Sequence, residues 1–417
     1  MCPKKLTLLL IFLLLLNQLS EGQNNTNSPY TRFGLGEIVD AYSAEQKSLG
    51  GLGFGSRNTS SVNTLNPASY SSVDSLTFMF DFGFGGLMSR FTLPAGTNSK
   101  FNANLEYITM QFPLSKWLGF SAGLLPYSFT GYNFYRNDSV LIPTTTGTHY
   151  SKYTETYNGE GGVSQAYAGF GAKFLNHISV GFNAYYMFGD VVNNRNVQFS
   201  ESSFSNANST QENSINISSF RFRYGIQLYN TFAKKHDVTL GLIYESKAPL
   251  NGSFVQRHFA IPADTIVYDK GFEMPQTLGA GLFYTFDKRL SIGLDYSYQQ
   301  WANVKYFGVS DSLRNRARIA LGAEWIPDPR GRQYFDRVRY RAGINLTDAY
   351  YRVNGIQPPK NFGISFGIGL PLRASNTMVN ASVEYGRSGD TSLLREDYFK
   401  FTLNAVFNEN WFFKRKL

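Results

Sequence analysis

The chain has 417 residues, of which 42% are hydrophobic, 16% aromatic and only 17% charged, with 39 Gly, 36 Phe and 27 Tyr. Charge is scarce against the roughly 25% of an average chain, and the formal +9 is spread without a basic block, which argues against nucleic-acid binding. The one cysteine, Cys2, precedes an apolar leader, so a mature chain without that leader has no thiol for a disulfide, a metal site or a nucleophile.

Lys4 and Lys5 open a basic n-region, and Leu6 to Leu16 form an apolar run interrupted by Thr7. The run is too short for a membrane helix of about 20 residues but suits a signal peptide. Ser20-Glu21-Gly22 supplies the small-x-small pattern, so residues 1–22 are expected to be removed, leaving Gln23 first. No second run approaches the length of a membrane helix, so only a closed barrel could cross a bilayer. Residues 23–74 are rich in Gly, Ser and Asn, with a short helix expected over Ala41 to Lys47, and do not alternate as strands do. Their economical place is inside a barrel, as an N-terminal plug.

From Leu76 the pattern has period two. Leu76, Phe78, Phe80, Phe82 and Phe84 alternate with Thr77, Met79, Asp81 and Gly83; Phe362, Ile364, Phe366 and Ile368 alternate with Gly363, Ser365 and Gly367. Such runs put one side-chain set on each face of a strand, and ten or so residues suit a tilted crossing of the bilayer. Fourteen such segments are counted, starting near Leu76, Phe101, Lys116, Val163, His177, Ile217, Asp237, Gln276, Arg289, Asn315, Phe335, Asn361, Thr377 and Tyr398. An even number closes a single-chain antiparallel barrel. The fold class is therefore all-β: a transmembrane antiparallel barrel over residues 75–417 of about fourteen strands, with a lumenal plug. Short turns at Leu175-Asn176, Lys234-Lys235, Asp287-Lys288 and Ala374-Ser375 read as periplasmic. Long polar connections, Arg136 to Gly162, Val192 to Asn213 and Lys247 to Pro275, read as outer loops.

An Arg facing lipid near the bilayer midplane costs about 2–4 kcal/mol. This sets the register of three strands and turns Arg221, Arg223, Arg316, Arg318, Arg337, Arg339 and Arg341 into the lumen. They form either a structural ion-pair network against the plug or a basic stripe for an anionic head group. Trp117 and Trp325 are expected in an inner aromatic belt, and Trp301 in an outer one. Enzyme chemistry has little support. Four histidines are scattered, and only His149 lies near a serine, Ser151. No metal-ligand spacing occurs, no cofactor is called for, and Gly51-Leu52-Gly53-Phe54-Gly55 lacks the strand-to-helix unit of a nucleotide loop.

Arg32-Phe33-Gly34-Leu35-Gly36, Leu49-Gly50-Gly51-Leu52-Gly53 and Asn66-Pro67-Ala68 together resemble the plug of the long-chain fatty-acid transporter (FadL/TodX) family, of which this chain looks like a divergent member. Asn408 to Arg415 is similar to C-termini in that family. Asn66 can cap, and Pro67 can open, a helical turn over Ala68 to Ser71. The resemblance implies a fourteen-stranded barrel in the outer membrane of a diderm bacterium, bathed in outer-membrane lipid. It implies passive passage of small hydrophobic or amphipathic molecules. It also implies a lateral gate where the third strand carries Gly119, Gly123 and Pro126, since proline cannot donate to the ladder. The same family contains non-transporting members, so the second reading is a scaffold or accessory subunit of a surface or protein-secretion machine, with no protein partner named by the sequence.

Overall fold

The computed structural model describes residues 25–410, except 94–95, 145–146, 202–206, 261–262, 269–270, 308–312, 354, 356–357, 359, 373–375 and 392–393. The leader, the closing Trp411 to Arg415 and the turn at Ala374-Ser375 lie outside the described residues.

Fourteen antiparallel strands form one ring. They are β1 (Thr77–Leu93), β2 (Gly96–Pro113), β3 (Leu118–Thr144), β4 (Gly147–Phe174), β5 (Ile178–Phe199), β6 (Ser209–Phe232), β7 (His236–Glu245), β8 (Thr277–Phe286), β9 (Leu290–Gln299), β10 (Arg316–Trp325), β11 (Arg339–Thr347), β12 (Asn361–Pro371), β13 (Met378–Ser388) and β14 (Arg395–Asn410). The last pairs with the first, from Asn410 against Thr77 to Arg395 against Thr92, which closes the ring. Phe80, Phe84, Phe222, Tyr224, Leu321, Phe366 and Phe401 stand exposed on the wall, while their sequence neighbours Asp81, Arg221, Gly322 and Thr402 face inward. That inversion of ordinary burial is what a lipid solvent imposes on a barrel. Among the described residues no helix is long and apolar enough to cross a membrane.

The turns between β4 and β5, β6 and β7, and β8 and β9 are tight. Leu175, Ala233, Lys234, Asp287 and Lys288 all have positive φ, the conformation of primed hairpin turns. Short turns are periplasmic in such barrels, so the opposite ends of the strands face outward. There the ring is lopsided. β7 to β13 have 9 to 11 residues, enough for one tilted crossing. β3 to β6 have 27, 28, 22 and 24. Their outer halves form a tall sheet, continued by Gly252–Phe259 on the outer half of β6 and by Asp264–Tyr268 beyond it. The stretches expected as outer loops, 136–162, 192–213 and 247–275, are thus largely strand. Outside the bilayer both faces of a strand meet water, so the apolar alternation that marks the crossings is missing there.

Two smaller expectations change. Arg337 belongs to a short 3-10 turn, Phe335–Arg337, before β11 begins. Trp301 is fully buried in a 3-10 turn after β9, with its Nε1 donating to Gln299 Oε1 at 2.9 Å; it packs on Phe272 and Tyr350 and does not face lipid. Trp117 and Trp325, at the inner ends of their strands, are exposed on the wall.

Candidate functional site

Residues 25–75 touch inward-facing side chains on strands all round the ring, and so occupy the lumen. Their local order comes from small polar residues. Ser43 caps the helix Ala44–Ser48, accepting the Gln46 N–H at 3.1 Å while the Gln46 side chain accepts back from Ser43 and Tyr42, a capping box. Asn66 caps the 3-10 turn Pro67–Ser72, its Oδ1 accepting the Ala68 N–H at 3.1 Å. The Asn66 amide also donates to Phe54 O at 2.8 Å and to Ile226 O, on β6, at 3.3 Å. One side chain therefore starts the turn and ties it to the wall.

The wall makes room for this turn with glycine. A Cβ on Gly119, Gly171, Gly181 or Gly225, from β3, β4, β5 and β6, would collide with the backbone of Pro67 and Tyr70 or with Asn66. On the opposite wall, Gly322 and Gly343 give way in the same manner to Leu49 and Gly50. Sequence reasoning missed this collar. A glycine in a strand has no signature of its own until the backbone lying against it is known.

Charge holds what glycine admits. Arg316 forks onto Asp40 with contacts of 2.9 and 2.6 Å, and Arg318 reaches Asp40 at 3.5 Å and the carbonyls of Gly50 and Gly51. Arg341 meets Glu324 at 2.7 Å and Glu45 at 3.6 Å, and Arg339 meets Glu324 and Ser60. Arg221 and Arg223 share Glu245, and Arg223 also donates to Leu65 O at 3.2 Å. Lys400 holds Glu37 at 2.7 Å, and Lys47 reaches outward from the segment to Glu106. In the reverse sense, the wall carboxylate Asp295 accepts the N–H groups of Gly53 and Phe54 at 2.7 and 2.9 Å. Six of the seven arginines singled out in the sequence are thus engaged by carboxylates, most of them also by the segment's backbone or side chains.

Above these pairs the outer half of the lumen is packed with apolar side chains. Tyr30, Leu35 and Ile38 of the segment join Met187, Ile215, Phe254, Phe272, Trp301 and Tyr350 in one buried cluster. The Tyr350 hydroxyl accepts the Leu35 N–H at 3.1 Å and donates among the Phe33 and Gly36 carbonyls.

The wall is incomplete at one place. β2 and β3 pair only from Pro113–Gly119 to Ile108–Leu124; beyond that the two strands run on without a ladder between them. Gly123 lies in this last paired stretch, where a Cβ would press on Ile108 O. On its other side β3 stays paired with β4, but the register shifts between Pro126 and Ser128, leaving Tyr127 as a bulge. A proline without an N–H at that point is a sufficient cause. The freed edge is taken by the chain itself: Glu37 and Ile38 pair with Phe129 and Ser128, and the Val39 N–H donates to Tyr127 O at 2.9 Å. A cavity of about 200 Å³ borders the seam, lined among others by Lys47, Glu106, Tyr107, Pro126, Phe129 and Lys400. Polar and apolar surface share its lining about equally, and Lys47 pairs with Glu106 and Lys400 with Glu37 on it.

His149, on the outer sheet, has its Nε2 2.9 Å from Glu201; His177 bonds the Tyr229 carbonyl and His236 the Tyr284 hydroxyl. Among the described residues no group of three His, Cys, Asp or Glu could hold a metal.

The fold is that of solved FadL-like β-barrels, some of them titled hydrocarbon channels or toluene transporters. The channel titled CymD monoaromatic hydrocarbon channel superposes with a TM-score of 0.59 at 13% identity, over 91% of this chain and 99% of that one. The Ralstonia pickettii toluene transporter TbuX gives 0.58 at 13%, over 88% and 98%. A Pseudomonas aeruginosa FadL homologue gives 0.57 at 12%, over 89% and 99%. No curated protein matches the chain. The family model described as BamG matches residues 3–417, and the chain belongs to that family.

Proposed function

We propose that this chain is a closed outer-membrane barrel serving as a scaffold or accessory subunit of a surface or protein-secretion assembly, its N-terminal segment acting as a permanent plug. The observation that carries this reading is the filled lumen. A transporter of hydrophobic molecules needs a continuous apolar passage, whereas here the middle of the lumen holds the N-terminal segment, ion-paired to the wall through Asp40 and Glu45, beside wall pairs on Glu245 and Glu324, and the outer half is occupied by its own apolar cluster. Each buried pair, once made, costs about 3–5 kcal/mol to break from one side. Cells depleted of the chain should take up radiolabelled toluene and oleate as fast as normal cells, while other surface proteins fall in abundance. Slowed uptake restored by the wild-type chain would overturn this reading.

One observation favours passive uptake of small hydrophobic or amphipathic molecules instead: the β2–β3 ladder stops at Leu124 beside a cavity, in a fold shared with hydrocarbon channels. Under that reading the seam is a lateral gate with Gly123 and Pro126 at its lip, and Gly119 below it seats the plug. Pro126→Ala, which restores a ladder donor, should then slow uptake; unchanged uptake of every compound tested would leave the bulge a structural feature only.

A further inference from the structure

We propose that the outer part of β3, residues 132–143, is a docking edge onto which an extended segment of a second cell-surface polypeptide adds as a further strand. The reading deepens the accessory role proposed above and rests on it for its biological sense, though its test does not.

β3 is paired with β4 along its whole length to Thr144. Its other edge is paired with β2 only to Leu124, then with the chain's own Glu37–Ile38 at Ser128 and Phe129. Thr31 next bonds both the N–H and the carbonyl of Gly131 through its hydroxyl. From Tyr132 to Pro143, among the described residues, nothing pairs with that edge. Twelve residues are about 40 Å of strand at 3.3 Å each.

Strand edges are normally protected by shortness, proline, lysine, bulges or a covering loop, because an open row of N–H and C=O groups recruits another chain. Among the described residues this edge has none of those devices until Pro143, at its tip. It carries one Arg and one Asp, Arg136 and Asp138, which lie 3.3 Å from each other and so give no net repulsion. On one face of the strand stand Tyr135, 71% exposed, and Leu141, 47% exposed. Leu141 lies opposite Tyr150 of β4, itself 70% exposed. The polar Asn137 and Ser139 separate them.

The occupant follows from these features. An edge selects backbone geometry, so the partner is an extended polypeptide and not a folded charged surface. The antiparallel Glu37–Ile38 pairing shows that this same edge accepts such a segment, and the partner continues that line outward. Apolar side chains would sit beside Tyr135 and Leu141, with polar ones between. The position, on the tall half of the ring and beyond the crossing strands, restricts the partner to the cell surface.

Amide hydrogen exchange of the full-length chain tests this, measured in outer-membrane vesicles from its own host and on the same protein purified alone into nanodiscs. Peptides over 132–143 should exchange at least tenfold more slowly in vesicles, while β8–β9 exchange alike in both. Equal rates over 132–143 would overturn the proposal. Washing the vesicles with urea at concentrations that strip peripheral polypeptides but leave lipopolysaccharide should abolish the protection; protection that survives would assign it to lipid saccharide and overturn the proposal too. Tyr135→Lys with Leu141→Lys leaves the β3–β4 ladder intact and should remove the protection in unwashed vesicles. Its folding is checked by heat-modifiable gel mobility, and persistent protection in the folded variant counts against the edge. Uptake measurements remain a separate matter, so failure of the docking edge and failure of the accessory role are told apart.

Discussion

Asp40 receives two guanidinium groups, a fork from Arg316 and a longer contact from Arg318; both arginines are buried, while Asp40 is partly open to the cavity beside it. Removing one partner of such a pair leaves an unmatched buried charge, at about 3–5 kcal/mol, whereas replacing both with apolar groups of similar size is often neutral. Arg316→Ala and Asp40→Ala should each lower the urea midpoint of the folded barrel, and Asp40→Leu with Arg316→Met should lower it less than either. Additive losses in the double variant would deny the coupling. Sterics make a second case. Gly181 faces the backbone of Pro67 and Ala68, which cannot rotate away. Gly181→Ala should therefore displace the turn and open residues 60–73 to proteolysis. Gly86→Ala, whose new methyl meets the Phe101 ring at 3.4 Å and the Asn102 carbonyl at 3.8 Å, both ordinary contacts, should stay within about 0.5 kcal/mol of wild type, as surface changes do; equal proteolysis of the two variants would contradict the collar.

The outer strands depend on a different balance from the crossing strands. In water on both sides they have no lipid to drive alternation, and their order relies on long ladders and a few charges. Glu155, on the outer half of β4, is the centre of one such group: Arg136 lies 3.1 Å from it, Arg195 of β5 bonds it directly, and the Tyr157 hydroxyl donates to it at 2.9 Å. Burial pushes its carboxyl up, but the hydrogen bond and charge of Arg195, with Tyr157 and Arg136, outweigh burial and hold it below the ordinary 4.5. A carboxylate depressed in the folded state contributes stability that is complete above its ordinary value and lost as pH falls through the depressed one. Amide exchange over 150–158 should therefore quicken below about pH 4.5 relative to β8–β9, and Glu155→Gln should remove that dependence. A flat profile in the wild type would exclude the cluster as a brace. The same physics explains what the sequence disclosed. All fourteen crossing segments were legible, because hydrocarbon on one face and polar lumen on the other write a period of two. The continuation of β3 and β4 past Arg136 was not, because Asn137, Asp138 and Ser139 look like any polar loop until a partner strand lies beside them. Trp301 misled for a related reason: its place after a strand's outer end suits a lipid belt as well as the apolar roof it joins.

At the scale of the molecule, the candidate site was half visible. The inward arginines followed from the cost of charge in lipid, and the Asn66-Pro67 turn from capping chemistry. An ion-pair network against the N-terminal segment and a break near Pro126 were also legible, from the same inward register and from the missing N–H of proline; the glycine collar and which carboxylate each arginine meets were not, since each is a relation between segments distant in the chain. The ring closes between Thr77 and Asn410, two ends more than three hundred residues apart, around a segment that precedes both and is gripped by arginines from β6, β10 and β11. Time enters here as a structural constraint. This segment, made before the barrel, must wait for the strands made last to complete its contacts, and must be in position before the final hairpin seals the ring, because the finished lumen is filled above it. Long-range pairing of this kind is slow, so the interval in which the barrel is an open, curled sheet with its N-terminal segment lying against it is long. The molecule is built in the order of a clasp closing over its contents, and whatever attends its insertion into the membrane meets it in that unclosed form.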